Sequence, residues 1–270
     1  MSFFTGTIYS KSMNMDTSLA VLLPQDSRKH RSLEESRNSI KPPRAAKTLI
    51  LLHGYSDGYS AWLTRSSIAR YAEDYDIAVL MPEVQHSFYQ DMKNGLPYFS
   101  YITGELPRLA SEMFNISTAA EDCMIAGLSM GGYGALYAGL TYPERFYGVG
   151  CFSSAFDLRA IAASVKSDSE PQAAGWDNDL RGIFGESPVF SEKSDLFILA
   201  EKNAKAPQKP KIYISCGTED FLYQSNTAMR DLLSAQKYDL KYEEWPGTHE
   251  WGFWDLSVQK MLEHFLPAPS

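Results

Sequence analysis

The run Ile125-Ala126-Gly127-Leu128-Ser129-Met130-Gly131-Gly132-Tyr133-Gly134-Ala135 decides how this chain is read. Its first part is apolar, as in a strand buried on both faces. Its second part opens a glycine-rich helix, and a serine stands at the junction. Gly-x-Ser-x-Gly between a strand and a helix is the pattern of a nucleophile elbow, a sharp turn that lifts a serine hydroxyl above the sheet. Gly127 and Gly131 fit that turn because larger residues there would meet the neighbouring strand and helix. The helix N-terminus then faces the serine, where its dipole favours developing negative charge.

Working outward, Thr48–Leu52, Ile77–Met81, Cys123–Leu128, Tyr147–Phe152 and Lys211–Cys216 are further buried-strand runs, and Leu240–Trp245 alternates like a strand. Helical spacing is expected over Ser60–Tyr71, Tyr98–Phe114, Gly131–Leu140, Asp195–Asn203, Asn226–Gln236 and Trp251–Phe265. Strands alternating with helices predict an α/β fold with a mainly parallel central sheet covered by helices on both faces. Phe3–Tyr9 and Ser18–Leu23 predict an antiparallel N-terminal hairpin at a sheet edge. Gln25–Ala46, rich in Arg, Lys, Ser and Glu, reads as a mobile charged loop. Ser154–Ser191, broken by Pro171, Gly175, Gly182, Gly185 and Pro188, reads as an irregular cap-like or lid-like insertion. Residues 1–270 are expected to form one domain.

The 270 residues carry a formal net charge of −8, which argues against nucleic-acid and anionic-membrane partners. No run reaches the length of a membrane span, and Met1–Ser10 lacks the marks of a secretory leader. Cys123, Cys151 and Cys216 lie far apart in apolar runs, which reads as free core thiols in a cytoplasmic, reducing setting. None of the cysteines has the spacing of a metal site, and no metal or cofactor is expected.

A serine hydrolase needs a nucleophile, a base, a carboxylate that orients the base, and an oxyanion hole. In one chain order these appear as Ser, then Asp or Glu, then His. Ser129 is the candidate nucleophile. Asp220 and Glu219 follow a buried strand and a Gly-Thr turn, and either could be the orienting acid. His249, in the loop Pro246-Gly247-Thr248-His249-Glu250-Trp251, is the candidate base. Met130 N–H and Tyr55 N–H are the candidate oxyanion donors, with Gly54 clearing the approach. His53 reads as structural. His86 precedes the elbow and is placed as a pocket residue, together with Gly54, Phe156, Trp176 and Trp251.

Taken together, Leu51-Leu52-His53-Gly54, Ala126–Ala135, Cys216-Gly217-Thr218-Glu219-Asp220-Phe221-Leu222 and Gly247-Thr248-His249-Glu250-Trp251 resemble the esterase D-like family of α/β-hydrolases, and most of all its bacterial tributyrin esterase branch. The resemblance implies the α/β-hydrolase fold and a carboxylesterase acting on short acyl esters through an acyl-enzyme. It implies Ser129, Asp220 and His249 as triad, with Asp220 taken over Glu219, a small-molecule ester substrate, a cytoplasmic location and a homo-oligomer. The charged stretch Ser27–Lys47 departs from a compact member. S-formylglutathione hydrolase and acetyl or feruloyl esterase activities of the same family are the alternatives. A non-catalytic binding protein on the same fold is a further one.

Overall fold

The computed structural model describes residues 1–25, 45–167, 171–186, 188 and 190–267. The expected mobile loop at Gln25–Ala46 lies almost wholly outside them. The strands are β1 (Ser2–Ser10), β2 (Met15–Leu23), β3 (Lys47–Leu52), β4 (Ile77–Pro82), β5 (Cys123–Leu128), β6 (Gly148–Phe152), β7 (Lys211–Gly217) and β8 (Leu240–Trp245). They form one sheet in the order β1-β2-β4-β3-β5-β6-β7-β8. From β4 across to β8 every pairing is parallel, while the β1–β2 hairpin is antiparallel and joins β4 antiparallel at the edge.

The apolar runs form strands because both of their faces are covered. Successive side chains point to opposite faces, so one strand feeds two cores. Ile50, Leu52, Ile125, Val149, Cys151, Ile212 and Ile214 enter the core on one face. Leu49, Leu51, Met124, Ala126, Leu128, Phe152 and Tyr213 enter the other.

The helices that fill these cores are α1 (Ala61–Arg65), α2 (Ile68–Asp74), α3 (Leu106–Met113), α4 (Met130–Thr141), α5 (Leu158–Ser167), α6 (Pro171–Phe184), α7 (Leu196–Asn203), α8 (Tyr223–Ala235) and α9 (Trp251–Phe265). On α9 the stripe Trp254, Val258, Met261, Leu262 and Phe265 packs on the second core. Helix α4 is buried from Met130 to Leu140 and has no polar face to offer. Its central position under the sheet matches that composition.

Three expectations need correction. The single helix expected over Ser60–Tyr71 is two short ones, α1 and α2, separated at Ser66 and Ser67. The helix expected over Tyr98–Phe114 begins with one α turn, Tyr98–Ser100, then widens into a π turn, Tyr101–Glu105, before α3. The stretch Ser154–Ser191 is not irregular: it carries α5 and α6.

The π turn brings Glu105 to the end of the N-terminal hairpin. Its Oε2 accepts from the Ser10 hydroxyl at 2.6 Å and from Ser12 N–H at 3.0 Å, and its Oε1 accepts from Lys11 N–H at 2.7 Å. Burial pushes this carboxyl up, but the donors of Ser10, Ser12 and Lys11 outweigh it and hold the pKa below its ordinary value. A depressed carboxylate adds stability that is complete above the unfolded-state value and is lost as pH falls through the folded one. Glu105→Ala is therefore expected to lower the unfolding free energy by about 2 kcal/mol at neutral pH in urea titrations. The gap to wild type should narrow as the pH drops below about 4.

Candidate active site

Ser129 leaves the end of β5 with φ 51° and ψ −115°, a conformation that L-residues avoid. The turn is held from both sides. Ser129 N–H donates to Phe152 O at 2.9 Å, and Ala155 N–H donates to Ser129 O at 3.1 Å. The two motif glycines are demanded by contact. A Cβ on Gly127 would stand 2.6 Å from the Gly131 carbonyl carbon, and one on Gly131 would stand 2.5 Å from Leu52 O. Backbone atoms cannot move aside as a flexible side chain can.

His249 lies in the loop after β8 and Asp220 in the turn after β7. Their contact is His249 Nδ1 to Asp220 Oδ2, 2.9 Å. A carboxylate only accepts, so Nδ1 carries the proton and Nε2 is left free. Leu222 N–H donates to the other oxygen, Asp220 Oδ1, at 2.8 Å. Burial pushes the Asp220 carboxyl up. The hydrogen bond and charge of His249, the Leu222 amide and the adjacent Ser153 hydroxyl outweigh it, so its pKa sits below the ordinary value. Ser153 adds to the field there, although its hydroxyl makes no hydrogen bond of ordinary geometry. Glu219 is exposed and accepts from Gly247 N–H, so it fastens the histidine loop and does not touch the imidazole.

Ser129 and His249 line one open cleft of about 1060 Å³, at the carboxyl ends of the strands. Gly54, Tyr55, Trp176 and Trp251 line it as well. The Tyr55 amide lies in the loop after β3. The Met130 amide opens α4, where a helix leaves its first N–H groups unpaired. No hydrogen bond from either amide occurs among the described residues.

Two pocket expectations are corrected. Phe156 is packed into the core, 1% exposed, and its neighbour Ala155 lines the cleft instead. His86 stands behind the wall, its ring stacked on Tyr55 with centroids 4.0 Å apart. His53 is structural, as expected. Its Nδ1 meets Gly54 O at 2.7 Å, and its Nε2 faces Val84 N–H at 3.2 Å and Glu83 Oε1 at 3.5 Å, so both nitrogens are engaged within the fold.

The cleft holds groups that the sequence reading missed, Asp57, Arg65 and Phe221, and Trp254 lines it beside Trp251. Burial raises the Asp57 pKa, and the opposing influences of His53, Arg65, the Gly54 amide and His249 reduce the rise without cancelling it. Phe221 is 76% exposed and its ring lies 4.7 Å from that of His249. Its place directly after Asp220 was the one available signal. Asp57 and Arg65 had none, since they reach the cleft through the path of the loop and α1.

The Esterase family model, described as "Putative esterase", matches residues 10–265. The chain belongs to the Esterase family. It is 34% identical over 268 residues to an acetyl esterase of Caldicellulosiruptor saccharolyticus, covering 97% of each protein. The structure superposes on substrate-bound FphF, a fluorophosphonate-binding serine hydrolase of Staphylococcus aureus, with a TM-score of 0.85 at 30% identity over 98% of each chain. It superposes on FrmB, an S-formylglutathione hydrolase of Staphylococcus aureus, with a TM-score of 0.82 at 30% identity, covering 98% of this chain and 99% of that one. The fold is the α/β-hydrolase fold, and the chain is a serine hydrolase of carboxylic esters.

Because Gly131 abuts the Leu52 and His53 carbonyls, Gly131→Ala is expected to lower stability by about 1–3 kcal/mol in thermal or urea unfolding. The same substitution should depress esterase turnover of the folded fraction, since relief of the clash must shift either the nucleophile turn or the loop after β3.

Proposed function

We propose that this esterase cleaves short-chain acyl esters of small molecules through a covalent intermediate on Ser129, with residues 1–270 acting as one catalytic unit. The observation that carries the proposal is the His249–Asp220 pair, bonded at 2.9 Å through Nδ1. It leaves Nε2 free of any bond among the described residues, in the side chain that shares the cleft wall with Ser129.

In this reading His249 Nε2 takes the proton of Ser129 Oγ as the oxygen attacks the ester carbonyl. The charge that develops on the carbonyl oxygen is met by the Met130 and Tyr55 amides, where each donor is worth roughly 3 kcal/mol in such sites. His249 then returns the proton to the departing alcohol. Water repeats the sequence on the acyl-enzyme and releases the acid. Asp220, held ionised by its depressed pKa, keeps the imidazole in the required tautomer and stabilises its cationic form.

The acetyl esterase relative supports a short acyl group. The superposition on an S-formylglutathione hydrolase supports a second reading within the same chemistry, an acyl thioester substrate. The three cysteines are free and buried, which supports a reducing, cytoplasmic location. The family relation supports a homo-oligomer.

Initial rates on p-nitrophenyl esters of increasing acyl length, with S-formylglutathione in parallel, test both readings. Activity is expected to peak at short acyl chains and to vanish in Ser129→Ala. Asp220→Asn should lower kcat by roughly 10³-fold or more. Full activity in Ser129→Ala, or a peak at long chains, overturns the proposal.

A further inference from the structure

The loop that carries Tyr55 is held unevenly. On the His53 side its backbone is well fixed: Tyr89 OH donates to His53 O at 2.8 Å, and Gly54 O accepts from Asp57 N–H at 3.3 Å and meets His53 Nδ1. Tyr55 itself is held through its side chain. The phenol ring lies between two others, His86 with centroids at 4.0 Å and Trp176 at 3.7 Å, each inclined by 16°. Asp179 closes the arrangement. Its Oδ2 accepts from Tyr55 OH and from His86 Nδ1, the latter at 2.8 Å. Burial, and then the Asp179 carboxylate, push the Tyr55 phenol well above its ordinary pKa, so it remains a donor.

Trp176 and Asp179 both belong to α6, the second helix of the cap. The far end of α6 is pinned separately. Lys93 N–H donates to Ile183 O and Asn94 N–H to Gly182 O, both at 2.9 Å, and Leu180 and Ile183 are buried. The middle of the helix therefore rests on Tyr55 and on His86 of the loop at residues 83–97, and its C-terminal end rests further along that same loop.

We propose that Trp176 and Asp179 are positioning residues for the reaction: docked α6 holds the Tyr55 amide where an ester oxyanion develops, so the cap helix completes the oxyanion site. This rests on the reading of Tyr55 N–H as an oxyanion donor. An amide donor works when it is fixed before the charge appears. A displacement near 1 Å of such a group lowers rates by about 10²-fold. Tyr55 has a stack and one carboxylate to fix it, and both come from elements outside its own loop.

The test uses the full chain with Tyr55→Phe, Asp179→Ala, the double variant, Trp176→Ala and Trp176→Phe, on p-nitrophenyl acetate. Rates are taken per site titrated with a fluorophosphonate. Asp179→Ala and Trp176→Ala are expected to lower kcat by about 10- to 100-fold with KM changed less than about threefold. Trp176→Phe should recover to within about threefold of wild type, because a stacking ring is retained. Tyr55→Phe, which keeps the amide and the ring, should match Asp179→Ala, and the double variant should be no more than about twofold worse than either.

A role confined to fold stability would lower the unfolding temperature and the number of titratable sites without changing kcat per site. That result overturns the proposal, as do unchanged kinetics in both Asp179→Ala and Trp176→Ala, a rise in KM alone, or full multiplicativity in the double variant. If wild type is neither labelled nor active, the underlying reading of Ser129 fails instead, and the two failures are told apart by that control.

Discussion

The structure turns on one contact, the meeting of the Ser129 elbow with the end of β3. Ser129 sits at a positive φ, which for a residue with a side chain costs about 1–3 kcal/mol unless the surroundings impose it. Here they do. Gly127 faces the backbone of Gly131, and Gly131 faces the Leu52 and His53 carbonyls, with no room for a methyl group at either glycine. Strand β3, strand β5 and helix α4 thus touch at backbone distance. That contact has a chemical consequence. The loop after Leu52 begins where α4 begins, so Tyr55 and Ser129, from segments 74 positions apart, line the same cleft. The oxyanion site proposed from the Tyr55 and Met130 amides needs such an approach, and glycine supplies it by removing atoms.

Two histidines near this contact show how hydrogen bonding assigns roles. His53 is buried, with the Gly54 carbonyl on one nitrogen and the Val84 amide and Glu83 carboxylate around the other, so both nitrogens face the fold and not the cleft. His249 has a carboxylate on Nδ1 and nothing on Nε2 among the described residues. The strength of that pairing depends on Asp220 staying ionised against its own burial, and the donors around it see to that. The same residue type is thus enclosed by the fold in one loop and open to the cleft in another, 196 positions further on.

Much of this was legible in the sequence, and for physical reasons. Strands buried on both faces leave continuous apolar runs, so β3, β5 and β7 could be read nearly to the residue, and the α9 stripe gave its helix at Trp251–Phe265. The nucleophile turn admits very few residue types, which makes Gly-x-Ser-x-Gly informative in that context. Choosing Asp220 over Glu219 needed the family resemblance, since adjacent carboxylates in a turn differ only in which way they face. The π turn at Tyr101–Glu105 left no trace, because its widening serves a distant partner, the hairpin end at Ser10–Ser12. The cap misled for the opposite reason. Gly175 and Gly182 suggested broken structure, yet α6 keeps both. A Cβ at Gly175 would meet nothing within 4 Å, and one at Gly182 only the Met92 methyl at 3.5 Å, so these glycines weaken the helix without being required for packing.

This contrast bears on what the family's common chemistry leaves open. Proton transfer and oxyanion binding restrict residue types at a few turns, so they mark the sequence. The cleft walls do not. Asp57 and Arg65 come from the loop and helix after β3, Trp176 from the cap, and Phe221 and Trp254 from the turns and helix around the triad. Trp176 is expected at the pocket from the sequence, whereas Asp57, Arg65 and Phe221 are ordinary loop, helix and turn residues in their local sequence and join the cleft wall through the path of the sheet. Substrate preference in such a scaffold can change by substitution at positions with no role in the bond-breaking steps. It can also change through elements such as α6 that touch both a wall residue, Trp176, and the loop beside the nucleophile. A helix that lines the cleft through Trp176 and bonds Tyr55 through Asp179 is placed where, on the proposed role of Tyr55, what is bound and how fast it reacts would be coupled.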